Sequence, residues 1–86
     1  SREKIDFSVY PNPFKNTFNV EFYSEDVSEI EYEVTNVVGQ VIEKRKQYTE
    51  IGFNKISIDL ENAPSSFYFL SIKLAGNNFK YKVVKE

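Results

Sequence analysis

The sequence predicts an all-β fold, an antiparallel β-sandwich of the immunoglobulin-like architecture with about seven short strands. Three observations predict it. Apolar and polar residues alternate with a period of two through several short stretches, the signature of strands buried on one face. Turn-forming residues interrupt these stretches at intervals of roughly 8–12 residues. No stretch carries the repeat of an amphipathic helix. A partly closed β-barrel satisfies the same pattern and is the structural alternative.

The elements follow in order. Residues 1–6 are mostly polar and charged and read as a linker remnant, the end of a piece cut from a longer chain. Phe7, Ser8 and Val9 form a first strand that runs into Tyr10-Pro11-Asn12-Pro13-Phe14. Proline fixes its own φ, donates no backbone hydrogen bond and pushes the preceding residue into an extended conformation. The Pro-Asn-Pro corner therefore belongs at an edge or an end of a sheet. In residues 17–23, Phe18, Val20 and Phe22 alternate with Thr17, Asn19 and Glu21, which predicts a half-buried strand. In residues 29–36, Ile30, Tyr32 and Val34 face one way; Glu31, Glu33 and Thr35 face the other. Helix is the rival reading because Glu is frequent there, but the period and the β-branched content favour strand.

Asn36 to Gln40 reads as a hairpin turn in which Gly39 supplies a left-handed conformation. The return strand over residues 41–48 carries Lys44-Arg45-Lys46. That run reads as a solvated edge strand rather than a phosphate site, because edge charges discourage strand-to-strand aggregation and no further basic cluster accompanies it. Residues 53–60 form another alternating strand with Ile56, Ile58 and Leu60 inward. After the turn-rich residues 61–66, residues 67–74 place Tyr68, Leu70, Ile72 and Leu74 in the core and Phe67 and Phe69 outward. Ala75 to Asn78 forms a tight turn, and residues 79–86 form the last strand, with Phe79, Tyr81 and Val83 inward and Lys80 and Lys82 outward.

The 86 residues make one domain, residues 7–86 after the linker remnant. A chain this short buries only about 60–65% of its unfolded surface, so large side chains matter; 8 Phe and 6 Tyr supply them. There is no cysteine and no histidine. Disulfides and thiolate metal sites are thereby excluded, and the commonest general base and metal ligand is missing. The net charge is −2, with both signs interspersed, and there is no basic stripe of the kind nucleic-acid binding needs. No apolar run approaches a membrane span and no signal-peptide pattern opens the chain. An address for export, if the protein carries one, is expected elsewhere than at this N-terminus.

A search for chemistry finds little. A nucleophilic triad needs His or a substitute base, and Ser65-Ser66 has no Lys close by in sequence. Glu21, Glu31, Glu33 and Asp59 fall on solvent faces, where solvation explains them better than paired-carboxylate catalysis. Neither Ser24-Glu25-Asp26 nor Asp59-Leu60-Glu61-Asn62 is long enough to specify calcium, and the 3 glycines are isolated turn residues. No catalytic residue, cofactor or metal is expected. The residues alone support a small β-sandwich module.

Several motifs nevertheless occur in a telling order. Tyr10-Pro11-Asn12-Pro13 follows a short strand. Tyr32-Glu33-Val34-Thr35-Asn36-Val37-Val38-Gly39-Gln40-Val41 stands at mid-chain. Gly52-Phe53-Asn54 leads into Ile56-Ser57-Ile58-Asp59-Leu60. Ala63-Pro64-Ser65-Ser66-Phe67-Tyr68-Phe69-Leu70-Ser71-Ile72 follows, and the chain closes on Tyr81-Lys82-Val83-Val84-Lys85-Glu86. Over residues 7–86 this resembles the C-terminal sorting domain, type A, of the type IX (Por) secretion system of Bacteroidota. In one place the chain departs from the family pattern: the glycine of its P-S-G-x-Y turn is Ser66 here, which argues against a left-handed turn at that position.

The resemblance implies an address, not an activity. Such domains end large secreted enzymes and adhesins and are recognised by the outer-membrane translocon after Sec export. They are often removed by a sortase-like cysteine peptidase that attaches the cargo to lipopolysaccharide; otherwise the cargo is released. The cargo is thus expected outside the cell or on its surface, with cleavage at or upstream of residues 1–6. Carried over, the sorting information lies in Lys82, Val83, Val84, Lys85 and Glu86, with Pro11, Asn12, Pro13, Gly39 and Tyr68 as structural positions. A terminal edge strand with unpaired backbone groups suits reading by strand addition, and Lys80, Lys82 and Lys85 would add charge specificity. Deleting residues 83–86 is then expected to leave much of the fold intact and abolish export. The same exposed edge leaves an edge-strand dimer open. A second reading, from another class, is a carbohydrate-binding or spacer module whose Phe67, Phe69 and Tyr23 stack on sugars, although Trp, the preferred platform, is absent.

Overall fold

The computed structural model describes residues 5–86. Each alternating stretch becomes a strand that turns its apolar set inward. The strands are β1 (Ser8–Tyr10), β2 (Thr17–Ser24), β3 (Glu29–Thr35), β4 (Val41–Tyr48), β5 (Gly52–Asp59), β6 (Ser66–Leu74) and β7 (Asn77–Lys85). They form two antiparallel sheets, in the orders β1-β2-β5 and β4-β3-β6-β7. The chain crosses between sheets after β2, β4 and β5, and makes hairpins at β3-β4 and β6-β7. This is the immunoglobulin-like sandwich, and among the described residues none is helical.

Phe18, Val20, Phe22, Ile56 and Ile58 from one sheet meet Ile30, Tyr32, Val34, Tyr68, Leu70, Ile72, Leu74 and Val83 from the other. Burial on this scale is what holds so small a domain, since each large side chain removed from water contributes roughly 1.5–3 kcal/mol. Phe7 wedges into the gap between the sheets, its ring 5.0 Å from Phe22 and 4.9 Å from Phe79. Ile5, from the stretch read as linker, also packs against the core; residues 1–4 of that stretch lie outside the described residues.

The turns follow local chemistry. Gly39 has φ +88° and nothing crowds it. The side chain of Asn36 organises the same turn by accepting from the Val38 and Gln40 amides at 3.1 and 2.9 Å. Ile42 is an extra residue opposite the Val34/Thr35 step, a bulge on the edge strand. The β6-β7 hairpin is tighter than the sequence suggested: Leu74 pairs with Asn77, and Ala75 (φ +53°) and Gly76 (φ +77°) alone make the turn. Two successive positive φ values are those of a type I′ turn, which matches the strand twist. β7 therefore begins at Asn77, not Phe79. Among the described residues Ala75 is the one non-glycine with positive φ, so Ser66 takes no left-handed conformation.

Candidate recognition site on the last strand

The Pro-Asn-Pro corner carries the chain from β1 of one sheet to the outer edge of β7 in the other. Both its X-Pro bonds, Tyr10-Pro11 and Asn12-Pro13, are cis. Pro11 and Pro13 have no backbone N–H, so the corner lacks the donors of an ordinary strand. A carboxamide has both donor and acceptor and takes their place. Asn12 Nδ2 donates to the Lys82 carbonyl at 3.0 Å, and Asn12 Oδ1 accepts from the Val84 amide at 2.9 Å. Phe14 continues in parallel: its amide donates to the Val84 carbonyl at 2.8 Å and its carbonyl accepts from the Glu86 amide at 2.9 Å. The outward carbonyl of Lys82, the amide and carbonyl of Val84 and the amide of Glu86 are thus hydrogen-bonded. Phe14 also drives its ring into the core, 1% exposed and 5.0 Å from Phe18.

This overturns one expectation. The end of the last strand is not an edge with unpaired groups; the corner occupies it, from a position 70 residues earlier in the chain. On the outer edge of β7, only the stretch before Lys82 is left uncovered by the corner.

The side chains of this segment divide by pleat. Val83 is fully buried, and Lys85 points the same way. Lys85 Nζ donates to the carbonyls of Leu60, Glu61 and Ala63 at 2.8, 3.0 and 2.6 Å. All three ammonium donors are used, and the β5-β6 connection is folded around them. The sequence reading gave Lys85 a charge for a partner to read; the structure turns that charge inward, where it holds a loop. Removing residues 83–86 would take out a core valine and this anchor together, so the fold is not expected to survive that deletion intact. Lys82 and Val84 point outward. Lys82 Nζ stands 4.4 Å from the centre of the Phe67 ring, and Val84 pairs across the sheet with Phe67. The exposed Glu86 lends its carbonyl to Ser65 Oγ at 2.7 Å.

Tyr68 is buried at the start of β6, and its hydroxyl donates to the Pro64 carbonyl. This is the tyrosine corner of immunoglobulin-like sandwiches, and it fixes the same connection that Lys85 holds from below. At the other end of the first strand, the Tyr10 hydroxyl donates to Glu21, which raises its pKa above the ordinary value. Burial raises Tyr81 likewise, with Asp6 acting in the same direction. Gly39 sits in its turn, remote in role from the last strand. Val37, Val38 and Ile42 wall an open groove of about 750 Å³, with Glu61, Pro64 and Tyr68 opposite. Phe67, Phe69 and Tyr23 are all exposed, Tyr23 on the other sheet. Among the described residues no group of three or more acidic side chains is placed to hold a metal ion.

Sequence reasoning named the corner and the last strand separately. It missed that they are one unit, and it missed Phe14, which the apolar residue after Pro13 could have signalled as a return to the core.

A search of curated proteins returns no match. The family described as the secretion system C-terminal sorting domain matches residues 8–86, from the first residue of β1 through the last strand. That span takes in both partners of the Pro-Asn-Pro contact and every strand of the sandwich, and the chain belongs to the family of type IX secretion C-terminal sorting domains.

Proposed function

We propose that this domain is the folded address of a larger secreted protein. It directs a cargo attached ahead of residue 1 across the outer membrane through the type IX translocon. A sortase-like cysteine peptidase then cuts at or upstream of residues 1–6, which releases the cargo or fixes it to the cell surface. Lys82, Val83, Val84, Lys85 and Glu86 contribute in two ways: Val83 and Lys85 hold the signal in its folded form, and Lys82, Val84 and Glu86 face the partner.

The observation that carries the reading is the family match over residues 8–86, which takes in every strand of the sandwich. The closed last strand supports it, because a signal that must cross the periplasm without aggregating benefits from having no open edge at its end.

The test is a fusion of residues 1–86 behind a Sec-exported fluorescent reporter, produced in a type IX-competent host and in the same host lacking its translocon. Reporter outside the cell is expected only with the domain and the translocon together, and mass spectrometry of the exported reporter reads the cleavage site. Reporter held in the periplasm of both strains, while a proven sorting domain works beside it, would overturn the proposal in favour of a spacer or sugar-binding module.

A further inference from the structure

We infer that the folded domain is read through the outer face of its four-stranded sheet, on a patch of Phe67, Phe69, Lys82 and Val84, by a protein surface that sets carboxylates beside apolar side chains. The inference rests on the sorting role and names the face and the partner chemistry that serve it.

The edge of the last strand is the obvious place for a receptor, and from the Lys82 carbonyl onward it is filled. Asn12 and Phe14 hydrogen-bond the Lys82 carbonyl, the Val84 amide and carbonyl and the Glu86 amide. A receptor strand could pair there only by expelling the corner and pulling the Phe14 ring from the core. What the segment offers without unfolding is its outward side chains.

Those side chains do not stand alone. In the antiparallel register Lys82 lies opposite Phe69 and Val84 opposite Phe67. Cross-strand partners on one face are near neighbours, about 4.5–5.5 Å between Cβ atoms. Phe67 and Phe69 are 44% and 39% exposed. They share that face with Ser71, Lys73 and Lys80, the Glu and Thr residues of β3, and Val41, Lys44, Lys46 and Tyr48 of β4. Two phenyl rings and a valine side by side on such a face form an apolar patch of the kind that marks contact sites, and aromatic residues are favoured where a contact concentrates its binding energy.

Charge selects the partner. Lys44 and Lys46, on the far edge of the same sheet, face Glu31 and Glu29 at 3.5 and 3.9 Å. Lys80 and Lys82 have no such carboxylate among the described residues, and Lys82 is held instead over the Phe67 ring. Two uncompensated ammonium groups flank the rings in a chain of net charge −2. An acidic surface would be attracted to this patch, whereas the basic residues of β4 are already met by Glu31, Glu43 and Glu29, which gives orientation as well as affinity. The rings sit on a sheet face rather than at a protruding tip, a placement that fits a protein surface.

The experiment uses the reporter fusion in the type IX-competent host, with the unfolding midpoint of each purified domain measured in urea. Phe67→Ser with Phe69→Ser, and separately Lys82→Glu, are expected to lower the exported fraction about tenfold. Lys82→Gln should fall between wild type and Lys82→Glu, and Lys82→Arg should export normally. Phe53→Ser removes an aromatic that is 61% exposed on the opposite sheet, and it should change nothing. If the ring variants also lower the midpoint, Lys82→Glu decides, since an exposed charge change leaves the core intact. Normal export of Lys82→Glu, or equal loss from Phe53→Ser, would overturn the inference and leave the sorting role standing. A wild-type fusion that never leaves the periplasm would overturn both.

Discussion

The four-stranded sheet has two edges, and the molecule closes them by opposite means. At β4 the outer edge is covered by no strand, and the protection is charge. Lys44, Arg45 and Lys46 carry side chains that are 58%, 66% and 60% exposed, loosely tied to Glu31, Glu43 and Glu29. At the end of β7 the protection is occupancy: a side chain and a backbone segment from the other end of the chain take up the hydrogen bonds there. Repulsion is local and tolerates substitution. Occupancy depends on distant parts arriving together, so it ties the integrity of the last strand to the folding of the whole sandwich. For a domain read as a signal, that difference makes β7 report on whether the domain has folded, and β4 does not.

Phe14→Ala is the largest break in this arrangement. It empties a core site that is 1% exposed and loosens the segment paired with Val84 and Glu86. A loss of about 3–5 kcal/mol is expected from removing a buried phenyl ring, read as a lower urea midpoint. Little change would mean that β7 is held by the Asn12 side chain alone.

Lys85→Met comes next. It keeps the inward stem and leaves the carbonyls of Leu60, Glu61 and Ala63 without their cation. About 2–3 kcal/mol should be lost, the cost of leaving one buried and two part-buried acceptors without their charged donor. Lys46→Met, the same change on the open edge, should cost under about 0.5 kcal/mol because its ion pair is exposed. Equal effects in urea would erase the distinction between the two edges.

How much of this was legible in the sequence depends on the range of the interaction. Period-two alternation placed β2, β3, β5 and β6 with their inward sets and most of β7, and the basic run marked β4 as a charged edge, since these depend on neighbours along the chain or on solvent. Gly39 was legible for the same reason. Lys85 is more instructive. The inward set Phe79, Tyr81, Val83 extends by period two to position 85, so the pleat pointed the side chain inward; the reading followed the charge of the residue instead. What no local pattern could supply was the acceptor cluster of the β5-β6 connection, which exists only after folding. The contact of Asn12 with Lys82 and Val84 was hidden likewise. A Pro-Asn-Pro corner announces a bend, but nothing near it in sequence says what the asparagine will hold.

Asn12→Ala sharpens the comparison. It removes two hydrogen bonds to the edge of β7 and leaves Phe14 in place. A loss of about 1–2 kcal/mol is expected. The more telling readout is amide hydrogen exchange. The Val84 amide should exchange much faster in the variant, and the Glu86 amide, bonded to the Phe14 carbonyl, should change less. Unchanged protection at Val84 would mean that solvent or another group closes the edge as well as Asn12 does.

The smallest expected change in stability comes from the β4 charges, and it tests the other half of the comparison. Lys44→Gln with Lys46→Gln should shift the unfolding midpoint by less than about 0.5 kcal/mol, since exposed ion pairs contribute little. Replacing Lys44, Arg45 and Lys46 together by Thr keeps strand propensity and removes the repulsion that discourages pairing along this edge. That variant should fold and then self-associate with rising concentration, seen by light scattering. Asn12→Ala should remain monomeric, because Phe14 still covers the end of β7. If the Thr variant stays monomeric and Asn12→Ala associates, charge is not what guards the open edge, and the Asn12 contact is what prevents pairing at β7.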